Sequence, residues 1–335
     1  MLTIRRLLAA ALIGCTFATA SCSKQPTAPR SSETSGGGAS HYTIAVIPKG
    51  TSQSFWLAVK AGADDAGREE HATIAWEGPS QETDVDRQIQ ILQNAITRKV
   101  SAIVMAACDA KALVRYVQQA QQANPPIPVV TIDSGLDPDI SQAYLATDNV
   151  KGGIAAADAL ADAIGGKGKV GVIPFIKGAK SSDEREEGFK QGLKKHPGMD
   201  LDNRILYSQA DVAQGLDKAK AMITATPDIA GIFAANQAGA EGAIKAVQEL
   251  NKQGQVKLVC FDASAPEVDA LRDGTVSALI VQNPYQMGYQ GVKIAIRLLK
   301  GEKVEPHTID TGVTVVTKSN LDTPAIRKLL NPQEK

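Results

Sequence analysis
Residues 86–133 read DRQIQILQNAITRK (86–99), VSAIVMAACDA (100–110), KALVRYVQQAQQA (111–123) and NPPIPVVTID (124–133). In the first piece Ile89, Leu92 and Ile96 recur on one face of a helix, whereas Ala102–Ala106 is apolar at every position. The pattern then repeats: a helical stretch over Lys111–Ala123 leads to the β-branched run Pro128–Ile132. Short runs apolar on both faces, alternating with helices, predict strands of a parallel sheet covered on both sides.

The same alternation extends in both directions. Strand-like runs precede it at Thr43–Ile47 and Thr73–Trp76 and follow it at Lys169–Pro174, Ile229–Ala234, Val256–Phe261 and Val276–Val281. Helical patterns cover Lys151–Ile164, Asp183–Lys195 and Ala238–Lys252. So many β-α units predict an α/β fold of two doubly wound parallel-sheet domains. A (β/α)₈ barrel is the competing architecture, and a body of nearly 300 residues fits two sheets better.

The N-terminus reads as a targeting signal. Arg5 and Arg6 precede an apolar stretch, Leu7–Ala20, too short to span a membrane but suited to a signal peptide. It ends in Thr19-Ala20-Ser21-Cys22, which is similar to the lipobox of bacterial lipoproteins, with Thr19 in place of the usual Leu or Val. Leu12-Ile13-Gly14-Cys15 fits that pattern formally, but cleavage there would leave too short an apolar core. Residues 1–21 are therefore expected to be removed, Cys22 to carry lipid, and the Ser-, Gly- and Pro-rich residues 22–40 to form a flexible tether. The location expected is extracytoplasmic, periplasm or cell surface. Cys108 and Cys260 end apolar runs with no CxxC between them, and read as buried free thiols.

Composition removes several function classes. Lys+Arg and Asp+Glu number 36 each, so no basic excess points to nucleic acid. His41, His71, His196 and His307 are scattered, and no Ser-His-Asp or metal constellation appears. Gly166–Gly171 spells GxGxxG but precedes a strand, the wrong context for a dinucleotide. No cofactor is expected.

In doubly wound sheets ligands bind beyond the carboxyl ends of the strands. The residues there are Lys49, Asp133 with Ser134, Asn236, Asp262 and Gln282, and Phe55 and Trp56 open the first helix at the same rim. Carboxylates and amides pair with vicinal hydroxyls, and aromatic faces cover aliphatic CH surface, so the set matches a sugar. Asp133, Asn236 and Asp262 also read as helix N-caps, Phe55 and Trp56 as core, and Arg185 as a solvated residue of an acidic helix.

The sequence resembles the ribose/galactose-binding branch of type I periplasmic binding proteins. Ile44–Pro48 with Phe55-Trp56, Val129–Asp133, Thr147-Asp148-Asn149 with Gly152-Gly153, Arg185–Phe189, Ile232–Asn236, Phe261-Asp262 and Gln282-Asn283-Pro284 carry the resemblance across about 43–318. It implies two lobes, 41–147 plus 283–311 and 148–282 plus 312–335, joined by three crossings and closing on a solute. It further implies ligand contacts from Lys49, Gln53, Phe55, Trp56 and Asp133 on one lobe and Arg185, Asn236 and Asp262 on the other, with Gln282 at the hinge. Ser134 stands where pentose-binding relatives carry a second arginine, Val212 where they place an aromatic, and Lys49 replaces a small polar residue. Ribose itself is therefore not implied. The galactose-binding calcium loop has no counterpart at Gly165–Gly168, so no metal is expected. The resemblance implies a monomeric, membrane-tethered subunit delivering a monosaccharide to an ABC permease and ATPase. A sensor-kinase or chemoreceptor partner, or a non-sugar polar solute, remains as an alternative. Paired acid/base catalysis by Asp133 and Asp262 ranks last, together with a transcription-regulator effector domain, which would need a DNA-binding head in place of the signal.

Overall fold
The computed structural model describes residues 41–331; the leader, Cys22 and the tether lie outside the described residues. The chain begins with β1 (Thr43–Ile47), α1 (Ser54–Glu69), β2 (Thr73–Trp76), α2 (Val85–Thr97), β3 (Ala102–Met105), α3 (Val114–Gln121), β4 (Val129–Ile132) and β5 (Ala143–Ala146). It continues through α4 (Asn149–Ile164), β6 (Gly168–Ile173), α5 (Lys180–Leu193), β7 (Met199–Leu201), α6 (Val212–Ala225), β8 (Ile229–Ala234), α7 (Gln237–Glu249), β9 (Lys257–Phe261), α8 (Ala265–Asp273) and β10 (Val276–Val281). It ends with α9 (Pro284–Leu299), β11 (Thr308–Asp310), β12 (Thr314–Val316) and α10 (Pro324–Leu330).

Two six-stranded sheets result, ordered β11-β5-β4-β3-β1-β2 and β12-β10-β9-β8-β6-β7. Every pair in the first is parallel. The second is parallel except for β12, which runs antiparallel to β10. The chain passes between sheets after β5, after β10 and after β11.

The apolar runs explain the layering. Along β1, Ile44 and Val46 enter the core shared with α1 and α9, while Ala45 and Ile47 enter the core shared with α2 and α3. With both faces buried, each strand position is apolar and the period-2 alternation of a solvated sheet disappears. In the second sheet, Ile232 and Ala234 face α6, α7 and α8, and Phe233 faces α4 and α5.

Two close helix contacts fix the elements that carry the site. A Cβ at Gly288 on α9 would lie 1.9 Å from the Val59 carbonyl oxygen of α1, and one at Gly153 on α4 would lie 2.3 Å from the Arg185 carbonyl oxygen of α5. Only glycine permits either approach, so α1 is seated against α9 and α5 against α4. Among the described residues no helix is long and apolar enough to cross a membrane. Cys108 and Cys260 are buried free thiols, as expected.

Candidate ligand-binding cleft
The loops after β1, β4, β8, β9 and β10 and the starts of α1 and α5 meet around one cavity of about 240 Å³. Its walls hold Lys49, Gln53, Phe55, Trp56, Asp133, Arg185, Asn236, Asp262 and Gln282, together with Glu82 and Phe175. A larger cavity of about 560 Å³ shares Phe55, Asp262 and Gln282 and is otherwise bounded by a mixture of polar residues, Gln237 and Asn283 among them, and apolar ones such as Ala58, Val281 and Pro284.

On the side of the first sheet the charges are paired. Lys49 Nζ lies 2.9 Å from Asp133 Oδ2 and 3.6 Å from Glu82 Oε2, all three side chains being buried. Burial works against the Lys49 ammonium, but Asp133 and Glu82 outweigh it and hold its pKa above the ordinary value. The same ammonium lies 5.0 Å from the Phe175 ring centroid and 5.7 Å from that of Trp56. Glu82 also accepts a 2.8 Å hydrogen bond from Trp56 Nε1. Phe55 and Trp56, 4.9 Å apart and nearly perpendicular, serve as both core and cavity wall, so the two readings of this pair hold together.

On the side of the second sheet they are not. Arg185 is 2% exposed and, among the described residues, no carboxylate lies within 4.0 Å of it. Its Nε donates to Asn149 Oδ1 at 2.9 Å and its NH1 to the Ala235 carbonyl at 2.8 Å. The guanidinium lies 3.7 Å from the Phe261 centroid. Burial lowers its pKa, opposed by the more distant Asp262 and Asp133. The acidic helix had offered a solvated position for Arg185; the side chain is instead buried, held by Asn149 and the Ala235 carbonyl.

Asp262 accepts from the Gln237 backbone N–H at 3.1 Å and from Gln282 Nε2 at 2.7 Å. Burial raises its pKa despite Arg185 and these two donors. Asp133 and Asp262 both occupy the left-handed region, with φ of 56° and 85°. That conformation costs a non-glycine residue about 1–3 kcal/mol and here turns both strand-end carboxylates into the cleft. Neither is the N-cap residue of a helix, although Asp262 serves the first N–H of α7. Asn236 is the N-cap there: its Oδ1 accepts from Gly239 N at 3.0 Å while the residue also lines the cavity.

One buried acceptor at the cavity, Gln282 Oε1, has no hydrogen-bond donor. Asp133 Oδ2 has only the Lys49 ammonium, 2.9 Å away. A buried acceptor left without a donor is rare unless a ligand or water supplies one. Gln53 also reaches across the cleft, donating to the Ala210 carbonyl at 3.3 Å. Among the described residues no cluster of three or more His, Cys, Asp or Glu side chains could hold a metal.

Gln53 and Arg185 came from the resemblance alone, and two cavity residues escaped the sequence reading altogether. Phe175 follows β6 by two positions and obeys the strand-end rule. Glu82 lies in the long β2–α2 loop, where only tertiary structure brings it to Lys49 and Trp56.

A model of the periplasmic binding protein domain matches residues 44–303. The chain belongs to this family. It is 32% identical over 286 residues to the D-ribose/D-allose-binding protein of Pseudomonas aeruginosa, covering 82% of this chain and 88% of that one. An Agrobacterium radiobacter carbohydrate transporter solute-binding protein, solved in complex with D-arabinose, is 38% identical at a TM-score of 0.83 over 87% of this chain and 99% of its own. An Agrobacterium vitis ABC transporter solute-binding protein with bound D-fucose is 39% identical at 0.82, over 86% and 99%. These relatives are binding proteins; the family is extracytoplasmic, and its fold matches the two-sheet architecture expected from the sequence.

Proposed function
We propose that this chain is the extracytoplasmic solute-binding subunit of an ABC importer, taking one neutral monosaccharide between two lobes, 41–147 plus 283–311 and 148–282 plus 312–335. The observation that carries this is the composition of the 240 Å³ cavity: three aromatic walls, an unpaired guanidinium and a buried amide oxygen, Gln282 Oε1, without a donor. A sugar supplies hydroxyl donors to Asp133, Asp262 and Gln282, hydroxyl acceptors to Arg185 and Asn236, and CH faces to Phe55, Trp56 and Phe175. With Lys49 and Arg185 set against Glu82, Asp133 and Asp262, the cavity has no spare positive charge to hold a sugar acid or phosphate.

The ligand touches both lobes, so it favours the closed form and shifts the population toward it. The closed surface is then presented to a permease and its ATPase. In this reading Asp133 and Asp262 bind hydroxyls rather than perform acid/base chemistry, the protein acts as a monomer, and lipid on Cys22 tethers it to the membrane. The test is a thermal-shift panel of D-ribose, D-allose, D-arabinose, D-fucose and their acid and phosphate derivatives. A ligand at ~1,000 times its Kd adds about 4 kcal/mol, several degrees for a chain of this size. A shift with a neutral sugar and none with its acid or phosphate supports the proposal, and a flat panel on ligand-stripped protein refutes it.

A further inference from the structure
Gln237 is not among the walls of the 240 Å³ cavity but lines the larger one beside it, and it touches both halves of the site. It is the first residue of α7, and its side-chain Oε1 crosses the cleft to accept from Phe55 N at 3.1 Å and from Ser54 Oγ at 3.0 Å. Those groups open α1, whose own N-cap residue, Gln53, provides no side-chain cap. An uncapped helix start leaves backbone N–H groups that need an acceptor, and Gln237 supplies one from the opposite lobe. Its Nε2 is held by Glu241 Oε1 at 2.9 Å, which fixes the amide so that Oε1 points at α1. Its backbone N–H donates to Asp262 Oδ2 at 3.1 Å.

We infer that Gln237 is a positioning residue for ligand retention. It completes the N-terminus of α1, the helix carrying Phe55 and Trp56, only when the lobes meet, while holding Asp262 in place on its own lobe. The inference rests on the reading of the cleft as the sugar site. Other bonds also cross the cleft: those from Lys49 to Ser181 Oγ and from Gln53 to the Ala210 carbonyl come from cavity residues, and those from Ala110 N to the Gly178 carbonyl and from Ser181 N to Ser134 Oγ reach neither the start of α1 nor Asp262. Gln237 instead ties closure to the site without contacting ligand. Its loss therefore falls on ligand release rather than capture, because the encounter takes place in the open form, where the bond is absent.

The experiment compares full-length wild type, Gln237→Met and the double variant Gln237→Glu with Glu241→Gln. Methionine keeps the length of the side chain and removes its polar atoms. The double variant keeps an acceptor for α1 and avoids two facing carboxylates. The probe is whichever of D-ribose, D-allose, D-arabinose or D-fucose shifts wild-type melting most. Release and association rates are read by stopped-flow tryptophan fluorescence, and amide hydrogen exchange is read at Phe55. The expected result for Gln237→Met is release about ten-fold faster, the order of two lost hydrogen bonds, with association little changed and Phe55 exchange accelerated. The double variant returns both readouts toward wild type. Equal release and equal Phe55 exchange in wild type and Gln237→Met overturn the assignment. If no sugar shifts wild-type melting, the monosaccharide reading fails by itself. The inference on Gln237 rests on that reading and falls with it, whereas equal release with sugar binding intact overturns the inference alone.

Discussion

The two sides of the cleft handle their buried charges differently. On the first sheet's side Lys49 sits between Asp133 and Glu82, and Glu82 is tied in turn to the Trp56 indole. On the second sheet's side Arg185 is equally buried but has only neutral acceptors and aromatic faces around it, and the pKa of Asp262 is pushed up by its own desolvation. The first side is a finished platform whose network holds without ligand. The second keeps its electrostatic debt open, and a ligand rich in hydroxyls reduces it. Stability is thus concentrated on one side and differential affinity on the other.

The largest effect expected from this contrast is at Arg185. Arg185→Met should cost about 2–5 kcal/mol of sugar affinity while leaving the unliganded melting temperature unchanged or higher, since it removes a buried cation lacking a close counter-ion. Titration calorimetry and melting of the same sample separate the two terms. A fall in unliganded stability comparable to the affinity loss would erase the contrast between the sides.

Asp133→Ala is expected to behave in the opposite sense. It leaves Lys49 with only Glu82 at 3.6 Å, and should destabilise the unliganded protein by about 3 kcal/mol in urea unfolding, in addition to weakening binding. Trp56→Phe is milder: it orphans Glu82 Oε1 and should cost about 1–3 kcal/mol of stability.

The smallest effect is one of pH. Because burial raises the Asp262 pKa, its carboxylate is lost, as pH falls, before an ordinary aspartate would protonate. Sugar hydroxyls need the ionised acceptor, so affinity should decline through that raised pKa. The sign for folding is reversed. The folded state binds this proton more tightly than the unfolded chain does, so between the ordinary and the raised pKa this group adds stability as pH falls and loses it as pH rises. Asp262→Asn should flatten both dependences, and an unchanged pH profile of binding in that variant would move the titrating group elsewhere.

Much of this was legible from residue order. Strands of four to six β-branched or apolar residues announced themselves, and the rule that ligands sit beyond strand ends brought Lys49, Asp133, Asn236, Asp262 and Gln282 together before any geometry was known. The edge strands β7, β11 and β12 have three residues each, too few to show a period, and β5, Ala-Tyr-Leu-Ala, lacks the β-branched bias. The antiparallel run of β12 depends on the last crossing, which no local pattern encodes. Glu82 and Gln237 were invisible for a related reason. Each acts on a partner distant in sequence, Lys49 for one and Phe55 for the other, and only the packed lobes reveal the bond.

The central claim is that one sugar bridges both sides and closes them. Small-angle scattering of wild type, stripped of co-purified ligand and then saturated with the sugar that shifts its melting, tests this most directly. The account predicts a smaller radius of gyration on saturation. An unchanged radius with verified binding would contradict it, because the ligand would then occupy a site that does not draw the lobes together.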